Sequence, residues 1–129
     1  MLILGDMYEL GEATEASHRE IGEAVREMKG IDLAICIGTH ASHYVERIRE
    51  SWAADRALHI AELTPESIRQ VADILRIGDA VLLKASRRLA LERIFVAAKE
   101  LHAKSGSPPA FVEAAARPMA GAGYPAERA

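Results

Sequence analysis

The sequence predicts an α/β domain, a mostly parallel sheet with helices on both faces, and three observations predict it. Short apolar runs of four to seven residues end at turn residues and lack helical periodicity, as strands buried on both faces do. Between the runs, the spacing of apolar residues changes to a helical period. Strand and helix then alternate four times with short connections, a pattern that right-handed crossovers in a parallel sheet satisfy.

The elements follow in order. Met1 to Leu4, stopping at Gly5, reads as the first strand. Ile21, Val25 and Met28 then fall at i, i+4 and i+7, with Glu20, Glu23, Arg26 and Glu27 on other faces, which predicts a helix. Ile31 to Ile37, ending at Gly38, is the second strand, and Tyr44, Val45 and Ile48 form the stripe of a second helix. Ala57 to Ile60 is a weaker third strand. The third helix has a clear start, with Thr64 as N-cap, Pro65 at the first helical position and Glu66 after it; Ile68, Val71, Ala72 and Leu75 are its apolar face. The turn pair Gly78-Asp79 introduces a last strand over Ala80 to Leu83, and Leu91, Ile94, Ala98 and Leu101 give a fourth helix. From Ser105 the character changes: the last 25 residues hold four of the five prolines, so residues 1–104 read as the domain and 105–129 as a Pro/Gly/Ala-rich tail.

Composition narrows the function. At 129 residues there is room for one core, and with 24 alanines and half the residues hydrophobic the chain is globular and helix-rich. A formal net charge of -3 gives no basic excess for a nucleic-acid surface. The single cysteine, Cys36, excludes an internal disulfide and suits a reducing cytoplasm; inside a buried strand it reads as inert packing. No apolar run approaches a membrane span, and the opening apolar residues meet Gly5 and Asp6 too soon for a signal peptide.

In an open parallel sheet, ligands bind beyond the carboxyl ends of the strands. Three loops belong there: Gly5-Asp6-Met7, Gly38-Thr39-His40, and Lys84 to Arg88. The last combines a lysine, a hydroxyl at an N-cap position (Ser86) and two arginines, a group able to hold a carboxylate or phosphate. Spacing supports equally a Ser86 that only caps, with Lys84, Arg87 and Arg88 in water. Asp6 fits a metal or ribose contact, but Gly-Asp is also ordinary turn chemistry and that reading is favoured. Glu9 and Glu12 in the same loop read as solvated.

The five histidines do not make a metal site: His40 and His43 lack a third ligand nearby, and His18 shares a stripe with Ile21 and Val25, as a satisfied, partly buried histidine does. There is no P-loop and no Gly-x-Ser-x-Gly elbow, and Gly121-Ala122-Gly123 follows no strand. The residues describe a binding half-site without a catalytic engine.

The loops also carry a resemblance. Leu4-Gly5-Asp6-Met7-Tyr8-Glu9-Leu10-Gly11-Glu12, followed by His18-Arg19-Glu20-Ile21-Gly22, resembles the C-terminal domain of the Mur ligases, in the branch that adds D-alanyl-D-alanine. Gly78 to Arg87 is similar to that branch's Gly-Asp-x-Val-Leu-Val-Lys-Gly-Ser-Arg segment, Leu91-Glu92 fits the helix after it, and His59 with Ala61 falls at a His-Phe-Ala stretch. Together the matching segments run over about residues 2 to 96, in order.

The resemblance implies a Rossmann-like fold and a defined task. These ligases use ATP and Mg2+ to phosphorylate the terminal carboxylate of a UDP-linked muramoyl peptide in peptidoglycan synthesis, and the amine of D-alanyl-D-alanine attacks the acyl phosphate. The C-terminal domain receives the incoming component and closes over the nucleotide held by a central domain, which aligns the reactants and excludes water. On this resemblance Lys84, Ser86 and Arg87 bind the substrate or nearby phosphates, Gly5 and Asp6 lie on the nucleotide-facing side, and no catalytic residue or metal ligand is assigned.

Two departures stand out. The family has glycine where this chain has Ala85. Its domain also begins earlier, with an Asn-Ala-Asn-Pro hinge and a helix, so an exposed strand edge or apolar face is expected here. Alone, the chain is expected to bind no nucleotide and form no peptide bond; within the ligase its partner is the missing central domain. The alternative is a free-standing Rossmann-like module that binds a small anionic ligand or a protein partner without catalysis.

Overall fold

The structure, a computed structural model, describes residues 1–104; the expected tail lies outside the described residues. Strands β1 (Leu2–Gly5), β2 (Ala34–Ile37), β3 (Ala57–Ile60) and β4 (Leu82–Lys84) form one sheet in the order β3-β2-β1-β4, and every pairing is parallel. Helices α1 (Thr14–Glu27), α2 (Ser42–Ile48), α3 (Pro65–Ile74) and α4 (Glu92–Lys104) alternate with the strands. The expected α/β class and parallel sheet are what the chain forms.

Alternation along β1 divides the interior in two. Leu2 and Leu4 pack with Ala34, Cys36, Val25, Tyr44, Val45 and Ile48 under α1 and α2. Ile3 faces the other way and joins Ile35, Val71, Leu75, Ile94 and Ala98 under α3 and α4. Helices therefore cover both faces. The cap of α3 is built as its sequence indicates: the Thr64 hydroxyl accepts from the Ser67 backbone N–H, and the Ser67 hydroxyl accepts from that of Thr64.

Three boundaries or faces differ from expectation. β2 starts at Ala34, and the carbonyls of Ile31 and Asp32 before it accept from the Arg56 guanidinium and not from a neighbouring strand. β4 starts at Leu82 and reaches Lys84, in register with Leu2 to Leu4, while the Ala80 carbonyl accepts from the N-terminal ammonium of Met1. The buried stripe of α1 is His18, Gly22 and Val25; Ile21 and Met28 are exposed. A Cβ at Gly22 would stand 2.8 Å from the Tyr44 carbonyl oxygen, so glycine lets α1 and α2 meet along this stripe.

Among the described residues β3 and β4 are the edge strands, and Leu82 is 60% exposed on β4. No helix among the described residues is long and apolar enough to cross a membrane, and no group of three His, Cys, Asp or Glu there could hold a metal ion.

Candidate functional site

From β1 the chain winds outward through β2 to β3, then crosses to β4 on the other side of β1. The order reverses between β1 and β4, where open α/β sheets place their ligand crevice. The three loops meet at that edge. The Ser86 hydroxyl accepts from the Tyr8 N–H at 3.0 Å, and the Ser86 N–H donates to the Asp6 carbonyl at 3.3 Å. Ser86 precedes a short 3-10 turn, Arg87–Leu89, without capping it through its side chain. Its hydroxyl instead joins the β1 loop to the β4 loop, correcting the capping alternative.

Asp6 is 2% exposed. Its Oδ2 accepts from the His40 N–H at 3.2 Å, so the side chain joins the β1 and β2 loops, while Oδ1 has no hydrogen-bond partner. The nearest ring, His18, is fully buried. Its Nδ1 lies 2.6 Å from the Thr14 carbonyl and its Nε2 accepts from the Met7 N–H at 3.1 Å. These two bonds specify the tautomer with its proton on Nδ1. Nε2 stands 4.0 Å from Asp6 Oδ1 with its lone pair already engaged. His18 is thus the satisfied histidine the sequence suggests, more deeply buried than expected.

At this edge of the sheet, Gly38 and Gly5 are positions where glycine is required. Gly38 has φ +128, and a Cβ there would stand 2.5 Å from Asp6 Oδ2. At Gly5 a Cβ would stand 2.5 Å from the Ala85 methyl and also strike Leu89. The Ala85 methyl thus occupies space that Gly5, having no Cβ, leaves free. Gly5→Ala is expected to cost about 2 kcal/mol in urea unfolding, and adding Ala85→Gly to recover a large part of that loss. Recovery of nothing would show that Leu89, not Ala85, sets the limit.

The expected binding residues do not share one pocket. Lys84 is exposed and lines a recess of about 230 Å³ with Leu4, Met7, Ile21 and Tyr44, on the α1 side. Arg87 lines another of about 180 Å³ with Leu83, Leu91 and Glu92. Ser86 borders both. Gly5 is buried, with its carbonyl accepting from the Tyr44 hydroxyl at 3.0 Å. Burial, then Cys36 and Asp6, hold the Tyr44 phenol above its ordinary range, so it stays a neutral donor. Burial also pushes the Cys36 thiol up to about 12, against a smaller pull from Arg49, which keeps it protonated and inert.

A larger cleft, about 520 Å³, opens over the ends of β1, β2 and β3, with Asp6, Tyr8, Thr39, His40, Glu62 and Leu89 among its walls. The Arg88 guanidinium lies 5.1 Å from the centre of the Tyr8 ring. Sequence reasoning placed neither Tyr8 nor Glu62 at the site. Tyr8 stood in the quoted β1 loop segment, whereas nothing local distinguished Glu62.

Comparison with known proteins fits this geometry. The family model described as Mur ligase, glutamate ligase domain, matches residues 1–87. The UDP-N-acetylmuramoyl-tripeptide--D-alanyl-D-alanine ligase of Bacillus subtilis is 35% identical over 94 residues, 73% of this chain and 20% of the relative. The Escherichia coli enzyme of the same name is 33% identical over 102 residues, 78% of this chain and 21% of the relative. Among solved structures, a MurF from Acinetobacter baumannii superposes with a TM-score of 0.60 at 20% identity, covering 77% of this chain and 21% of that one. The MurF ligase from Thermotoga maritima, solved in complex with ADP, gives 0.57 at 23%, covering 81% and 22%. The chain spans about a fifth of the length of these relatives.

Proposed function

The chain belongs to the Mur ligase family through its glutamate ligase domain, and on that premise we propose that it is the C-terminal domain of an ATP-dependent ligase of the cytoplasm that adds D-alanyl-D-alanine to UDP-N-acetylmuramoyl-tripeptide. The observation that carries this reading is the joining of the Asp6 loop to the Lys84–Arg88 loop through Ser86, at the sheet's reversal point.

Each group has a task in that scheme. Exposed Lys84, Arg87 and Arg88 offer charge-assisted donors to the dipeptide carboxylate or to phosphate oxygens. Ser86 fixes the spacing between the two loops. Gly5 and Asp6 lie on the edge turned toward the nucleotide. ATP and Mg2+ would supply carboxylate activation, and they would be held mainly outside this chain, whose residues offer no P-loop. Alone, the chain binds and orients without forming a bond; closure onto the central domain brings amine and acyl phosphate into line and keeps water out.

With Lys84→Ala in the complete ligase, the KM for D-alanyl-D-alanine is expected to rise about tenfold while that for ATP stays unchanged. Unchanged kinetics for both substrates would remove Lys84 from the site.

A further inference from the structure

Beneath the β1 loop, two buried acceptors lie side by side with no proton between them. The His18 ring is fully buried and both its nitrogens are engaged: Nδ1 donates to the Thr14 carbonyl, and Nε2 accepts from the Met7 N–H. Asp6 Oδ1, buried as well and without a hydrogen-bond partner, stands 4.0 Å from that Nε2. A buried carboxylate oxygen left without a donor is costly. A proton on Nε2 would supply that donor, and it would remove the lone pair that Met7 uses. Met7 is followed by Tyr8, whose N–H is held by the Ser86 hydroxyl, so the tie at stake belongs to the loop that joins β1 to the β4 loop.

We propose that His18 and Asp6 form a proton-operated latch on the β1 loop. With the ring neutral, Nε2 holds Met7 and fastens the loop to α1. With the ring protonated, a movement of about 1 Å brings the Nε2–H onto Asp6 Oδ1, and the Met7 N–H is released. Asp6 also supplies the counter-charge that a buried imidazolium requires, while its Oδ2 keeps the His40 N–H. The other titratable groups facing His18 do not take this role. The Tyr44 ring on α2, 4.8 Å away, spends its hydroxyl on the Gly5 carbonyl. The His40 ring, 5.7 Å away after β2, is exposed, with His43 stacked on it. Glu9 and Glu12, on the chain leading into α1, are exposed, and on α1 itself Arg19 pairs with Glu15 and with Glu46 of α2. Acidification therefore frees Met7 first, and through Tyr8 and Ser86 the change reaches the loop that carries Lys84, Arg87 and Arg88. The latch needs no ligand and is independent of the reaction proposed above.

The test is an NMR titration of the ¹⁵N-labelled 129-residue chain from about pH 8 to about pH 5, read at the His18 ring nitrogens and at the backbone amides. At the upper end the ring is expected as the tautomer with its proton on Nδ1, with the Met7 amide protected from exchange. As the ring takes up its second proton, the Met7 protection factor is expected to fall at least about tenfold in step. The Tyr8 and Ser86 amides should shift with it, while those of Ile35 and Val71 in the core stay in place. His18→Gln keeps an acceptor for Met7 but cannot titrate, and is expected to abolish the step. Asp6→Asn keeps the shape, removes the counter-charge, and is expected to weaken proton uptake by the ring about tenfold. A ring that stays neutral until the core amides lose protection would overturn the latch, and so would protonation that leaves Met7 protected. A step that persists in His18→Gln would also overturn it and assign the titration to His40. Should Asp6→Asn fail to fold, the unmodified chain and His18→Gln decide the matter.

Discussion

Gly38→Ala is expected to destabilise the domain by about 3 kcal/mol, which for a chain of this size is a fall of about 10 °C in Tm. Two effects combine. At φ +128 an alanine is strained, and its Cβ would overlap the carboxylate carbon and both oxygens of Asp6. Asp6 cannot move aside freely, because it is buried and holds the His40 N–H. Gly30 separates the two effects: it has φ +81 with nothing within 4 Å, so Gly30→Ala carries the backbone strain alone and is expected to cost about 1 kcal/mol. Equal losses at the two positions, measured by thermal unfolding, would mean that Asp6 is not what demands glycine at 38. Asp6→Ala removes all three overlapping atoms, so the double variant Asp6→Ala/Gly38→Ala is expected to be more stable than the sum of the single losses.

His18→Ala is expected to cost about 3 kcal/mol in urea unfolding. The substitution empties a fully buried volume against Tyr44, whose ring centre lies 4.8 Å away, and orphans both the Met7 N–H and the Thr14 carbonyl. His18→Gln keeps an acceptor within reach of Met7 and is expected to recover part of the loss. Hydrogen exchange at the Met7 amide distinguishes the polar role from packing: it should lose protection in His18→Ala and regain some in His18→Gln. Equal protection in both variants would reduce His18 to a filler of volume.

The parallel architecture was legible because it is written in local patterns. Leu2 to Leu4, Ala34 to Ile37 and Ala57 to Ile60 are short apolar runs closed by turns, and Thr64-Pro65 marks a helix start by chemistry confined to a few residues. The face of α1 was misread because its period admits either Ile21 or Gly22 as the inward position. The choice depends on how closely α2 approaches, a fact of tertiary packing. The site was partly legible. Asp6, Ser86 and the basic residues were marked by their place after strands, but the hydroxyl of Ser86 crossing to Tyr8, and Glu62 entering the cleft, depend on chain segments far apart in sequence. Spacing alone left Lys84 and Arg87 equally suited to water, and it was the resemblance that gave them a binding role.

The pairing of Leu2 with Leu82 has a thermodynamic consequence. The Asp6 loop and the Ser86 loop join only when the first strand and the last are both in the sheet, so a chain that has folded through β3 but not docked β4 lacks that junction. A ligand spanning the two loops therefore recognises the fully assembled domain alone. By mass action its binding free energy is added to the whole folding equilibrium: at a hundred times its Kd it would contribute about 2.7 kcal/mol. Occupancy and assembly are in this sense a single linked equilibrium.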